Sequence, residues 1–166
     1  MQVPVRRGEK RPAPKDPYLT EEKFTELKDK LERLKKIRPR EAMEVKRLAE
    51  MGDFSENAGY QLAKGRLRGL NQRIIDLENH LKMAVIIEAN PDIKTVQIGS
   101  RVTLEKDGKQ TTYLILGSTE SDPASCVISY QSPLGAALIG RRVGEKIKLT
   151  LVNKEVEYTV IRVESA

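Results

Sequence analysis

Tryptophan is absent from this chain, cysteine and histidine occur once each, and aromatic residues make up only 4% of its 166 residues. So few large rings argue against one wide core and suit a thin helical pair joined to a small domain. The single cysteine, Cys126, excludes an internal disulfide and fits a reducing cytoplasm. Set beside Val127 and Ile128, it reads as a small buried residue of a strand. The single histidine, His80, has no Cys or second His near it, which leaves no basis for a zinc site. No apolar run reaches the roughly 18 residues of a membrane span and no signal peptide is visible, so a cytoplasmic chain without a membrane partner is expected. A Ser/His/Asp set, a glycine-rich phosphate loop and a nucleotide motif are all missing. A self-contained enzyme is therefore not expected.

Charge is what the chain has in quantity. A third of the residues (33%) are charged and the formal net charge is +6, a lean towards acidic partners such as nucleic acid. The excess is uneven: residues 1–17 hold five bases and two acids, with four prolines and almost nothing apolar. That segment reads as a basic disordered tail, for solubility or for loose contact with phosphates.

Residues 18–90 read as two long helices. Thr20 followed by Glu21 and Glu22 is a helix start: a hydroxyl for a free amide and acids at the positive end. Phe24, Leu27, Leu31 and Leu34 follow at coiled-coil spacing. Pro39 predicts a kink or short break near residue 38. Ala63, Leu67, Leu70, Ile74, Leu77, Leu81 and Ala84 keep the same rhythm in a second helix. These residues pack and carry no chemistry. The short link between the helices makes them antiparallel neighbours, an arm about 45 Å long at about 1.5 Å per residue.

Asn90-Pro91 ends the helical part, and residues 91–166 change character. Alternation over Arg101–Glu105, a turn at Asp107-Gly108, and runs at 111–116, 126–130, 146–152 and 156–163 predict a small antiparallel sheet. Ser132 as a cap, Pro133 at the first position and Gly140 as the stop frame one short helix. The fold class is α+β: an antiparallel coiled-coil hairpin followed by a β domain with one short helix.

The far end of the arm holds Gly52-Asp53-Phe54-Ser55-Glu56-Asn57-Ala58-Gly59-Tyr60. Two readings stand for its acids. Asp53 and Ser55 can accept backbone hydrogen bonds in a capped turn. Alternatively, Asp53 and Glu56 can share a cation, but two carboxylates bind Mg²⁺ weakly, so they form half a site that a partner would complete. From Asn57 to Ile75 there is no acid, whereas Lys64, Arg66, Arg68 and Arg73 are all present. That stretch is either a phosphate-contacting surface or a solvated helix face.

The segment from Gly52 to Ala58, followed by Tyr60, resembles the tip motif of the Gre transcript cleavage factors (GreA and GreB) of bacterial RNA polymerase. Leu19-Thr20, Arg38-Pro39, Ala84-Val85-Ile86, Ile128-Ser129, Ser132-Pro133-Leu134-Gly135 and Ala137-Leu138-Ile139-Gly140 agree with the same family in order. The resemblance covers residues 18 to 166. It implies a coiled-coil finger and an FKBP-like globular domain in a monomer without a tightly bound cofactor. It further implies that the finger enters the polymerase secondary channel while the globular domain docks on the channel rim. Asp53 and Glu56 would hold Mg²⁺ jointly with the polymerase, which itself cuts the backtracked RNA 3′ end. Phe54, Ser55, Asn57 and Tyr60 would shape the tip, and Lys64, Arg66, Arg68 and Arg73 would face the nascent RNA. The family commonly has Glu where this chain has Gly59, which makes the tip one charge less acidic. A Gre-like inhibitor that occupies the channel without promoting cleavage is the alternative function.

Overall fold

The computed structural model describes residues 15–51, 57–90, 92–151 and 154–166. Strand β1 (Tyr18–Leu19) leads into helix α1 (Glu21–Glu50). Helix α2 (Ala58–Met83) returns to strand β2 (Val85–Ile86). Then follow β3 (Ser100–Lys106), β4 (Lys109–Leu116), β5 (Val127–Ser129), helix α3 (Pro133–Leu138), β6 (Lys146–Leu151) and β7 (Lys154–Ser165).

The arm forms as its pattern requires. Thr20 caps α1 by accepting from the Lys23 amide at 3.2 Å. Leu27 and Leu31 of α1 close on Leu70, Ile74 and Leu77 of α2, with Leu19 of β1 sealing the base of the same cluster. Each such side chain gives about 1.5–3 kcal/mol on burial. The seam thins outward, where Ala42 is exposed and Val45 and Leu48 are only half-buried.

Helix α1 does not break at Pro39; it runs through it. Proline removes the N–H that would bond to the carbonyl of residue 35, but both residues are exposed, so water can serve that carbonyl. Packing against α2 carries the helix across. Pro39→Ala should therefore stabilise the arm by about 1–3 kcal/mol, read as a later loss of helical signal in thermal unfolding. An unchanged midpoint would show that the proline is already accommodated without cost.

The globular part is a five-stranded sheet in the order β5-β4-β3-β7-β6. It is not wholly antiparallel: β5 pairs with β4 in parallel, Ile115 opposite Ile128. The link over 117–126, which contains two 3₁₀ turns, is long enough to cross back beside β4. Cys126 is not a strand residue either. It ends the second 3₁₀ turn at φ 57° and is half-buried, and its amide serves the Pro123 carbonyl. Val102, Leu104, Ile115, Ile147 and Val160 form the core with Val96, and α3 seats Leu138 on them. Ser132 caps α3, accepting from the Gly135 amide at 3.1 Å.

Candidate functional site

Asn57 ties the two helix ends together at the far end of the arm. It accepts from the Tyr60 amide at 3.0 Å, which starts α2, and its amide nitrogen donates to the Leu48 carbonyl of α1 at 3.3 Å. One residue thus satisfies a free donor of one helix and a free acceptor of the other. An Asn directly before a helical run is a readable cap signal, and it identifies what Asn57 does at the tip. The Gly59 Cα sits close by: a side chain there would begin 3.2 Å from the Asn57 Oδ1 and 3.9 Å from Leu48.

Asp53, Phe54, Ser55 and Glu56 lie outside the described residues. Their place in the chain is bracketed by Met51, which is 68% exposed, and by the Asn57 cap. The two acids therefore belong to the connection at the end of the arm opposite the β1–β2 pair. Among the described residues no group of three or more His, Cys, Asp or Glu is placed to hold a metal. As a donor set, two carboxylates fit part of an oxygen shell for Mg²⁺ and leave the remaining positions to water and a partner.

The four bases of α2 do not share one face. At about 100° per residue, Lys64 and Arg68 lie on one flank of the helix and Arg66 and Arg73 on the other. Lys64 Nζ stands 5.7 Å from the centre of the half-buried Tyr60 ring, a cation–π contact. Arg66 points to α1, with Nε 3.6 Å from Glu41 Oε2, so part of its charge is answered within the arm. Arg66 and Arg73 line one shallow groove with Ile37 and Leu62, and Gly65 and Gly69 leave its floor open. The 100° spacing was available in the sequence; the Glu41 contact was not.

Two further acids lie at the other end of the arm, where local sequence gave no warning. Asp16 is 5% exposed, and its carboxylate accepts from the Tyr18 amide at 3.1 Å and from the Ser118 amide at 2.8 Å. Its carbonyl accepts from Nε2 of the buried His80 at 2.9 Å. Glu120 accepts from the Thr20 amide at 2.9 Å and from the Thr20 hydroxyl at 2.6 Å. These contacts join the base of the arm to the globular part.

Residues 17–86 match the family model described as the N-terminal part of the transcription elongation factors. Residues 90–165 match the model described as the C-terminal part of GreA/GreB. The chain is 38% identical over 155 residues to transcription elongation factor GreA of Acetivibrio thermocellus, covering 90% of this chain and 96% of that one. It is 37% identical over 150 residues to GreA of Bacillus cytotoxicus, covering 88% and 95%. Among solved structures it is similar to the GreA factor homolog Gfh1 of Thermus thermophilus, at 28% identity, 89% and 98% coverage and a TM-score of 0.41. With both halves matched in order and the relatives covered almost end to end, the chain belongs to the GreA/GreB family of transcription elongation factors.

Proposed function

We propose that the chain binds RNA polymerase, passes its arm into the secondary channel and stimulates the polymerase's own cleavage of backtracked RNA 3′ ends. The observation that carries this reading is a two-helix arm whose helices are joined by the sequence segment that holds Asp53 and Glu56, in a chain of the GreA/GreB family. Acid at the end of a rod is useful where a second molecule supplies the other half of a site. Asp53 and Glu56 would hold Mg²⁺ together with the polymerase. When bound, the ion supplies charge stabilisation for a displacement at phosphorus.

This chain's residues position and attract. Asn57 ties the helix ends together, and Phe54, Ser55 and Tyr60 shape the tip. Lys64 and Arg68 on one flank and Arg66 and Arg73 on the other draw the RNA 3′ end electrostatically. The globular part docks on the channel rim, and the factor acts as a monomer in the cytoplasm. None of the described helices is long and apolar enough to cross a membrane.

The test uses stalled, backtracked elongation complexes with 3′-end-mapped RNA. The native chain should shorten the RNA from its 3′ end with the polymerase present and leave free RNA intact. If it binds polymerase and no cleavage follows, it is a channel-occupying inhibitor, and Gly59→Glu becomes the variant to try. Tight, salt-sensitive binding to free RNA in the absence of polymerase would instead make it an RNA-binding module.

A further inference from the structure

Asp16 and Glu120 make the same kind of contact twice. Each is a carboxylate that reaches between the base of the arm and the 3₁₀ turn after β4, about 100 residues away in sequence, and takes backbone N–H groups there. Charged acceptors on amides are the stronger hydrogen bonds, and Asp16 is nearly fully buried. The two backbones also approach very closely. A Cβ on Gly117 would stand only 2.3 Å from the Tyr18 carbonyl oxygen, so no other residue fits without moving the arm. Tyr18 and Tyr130 pack edge to face across the same junction, with ring centres 5.5 Å apart. The arm is thus bolted to the globular part at Asp16, Tyr18 and Thr20.

The lever this controls is long. Over an arm of about 45 Å, a 10° change at the base moves the far end by roughly 8 Å. Misplacing a reacting group by about 1 Å can cost about 100-fold in rate. We infer that Asp16 and Glu120 are positioning residues: their carboxylates lock the arm at one angle to the globular part, so that the tip arrives in register when the globular part is docked. The inference rests on the proposed cleavage function for its consequence, though not for its geometry.

Substitutions separate the lock from mere stability. Asp16→Asn keeps the shape, but an amide can accept on only one of its two heads, so its NH₂ group faces the second backbone donor. Glu120→Ala removes both bonds to Thr20. Glu120→Gln is the control, because its oxygen can accept from the Thr20 amide while its NH₂ donates to the hydroxyl. Gly117→Ala pushes the two segments apart directly.

Spin labels on Met43→Cys and Lys109→Cys, both exposed, in a Cys126→Ala background of the full chain would report the angle by pulsed EPR. One narrow distance is expected for the native junction and for Glu120→Gln. A shifted or broadened distribution is expected for the Asp16→Asn/Glu120→Ala double variant and for Gly117→Ala, with helical circular dichroism unchanged. Cleavage of backtracked RNA should fall roughly tenfold or more in those two, with polymerase binding kept. A narrow, unshifted distance in both disruptive variants would overturn the lock, and a displaced arm that still cleaves at the native rate would overturn its positioning role. If the native chain gives no cleavage at all, the function proposed above fails, and the distances alone decide the lock.

Discussion

Asp53→Asn and Glu56→Gln should each reduce stimulated RNA cleavage by roughly 100-fold, the usual scale for losing one group that stabilises charge in the transition state. Polymerase binding should stay within about twofold. The choice of amides over alanine matters because it divides the two readings of the tip. If Asp53 serves only as a turn or cap acceptor, asparagine does that work as well as aspartate, and Asp53→Asn should cleave normally. If the carboxylates hold Mg²⁺ with the polymerase, the neutral amides fail although the turn survives. Raising Mg²⁺ should then recover part of the lost rate, since a weakened site is refilled by mass action. Normal cleavage by both variants would remove Asp53 and Glu56 from the metal and place the stimulation on other residues of the arm.

Local chemistry made much of the fold readable, and its limits are physical. The seam residues Leu27, Leu31, Leu70, Ile74 and Leu77 repeat at helical spacing because each must reach the same partner, and they form one buried cluster. Ser132-Pro133 announces α3 because a cap and a fixed φ act within one turn. Pro39 does not break α1, because local propensity is outweighed by packing along a long helix. The parallel β4–β5 pair and the left-handed Cys126 depend on how residues 117–126 cross the sheet, which no short window encodes. Asp16 and Glu120 are further removed still. A buried carboxylate that answers an amide about 100 residues away has no periodicity, and Asp16 sits among charged, proline-rich residues that read as tail. At the tip, the acids were legible as chemistry, but the capping role was read on Asp53 and Ser55, and the bonds of Asn57 to both helices emerge only from the structure, as does the split of the four bases between two flanks of α2.

Gly135→Ala should be the most damaging single methyl in the described part of the chain. Gly135 is buried on α3, and a Cβ there would lie 2.1 Å from the Ser129 carbonyl oxygen and 2.9 Å from the Tyr130 Cα. Both obstacles are backbone at the end of β5, so no side-chain rotation relieves them, and α3 must lift off the sheet. That would draw Leu138, 0% exposed, out of the core and loosen the Ser132 cap on the same six-residue helix. Overpacking of this kind costs about 1–3 kcal/mol, and partial loss of one buried leucine adds to it. For a part of this size the melting temperature should drop by roughly 10–20 °C. Gly140→Ala provides the contrast, since open space surrounds that position and only its φ of 82° resists a side chain, at about 1–2 kcal/mol. Thermal unfolding of the two variants should rank Gly135→Ala well below Gly140→Ala. The reverse order would show that α3 can slide on β5 and that its contact with the Ser129–Tyr130 backbone is not what holds it.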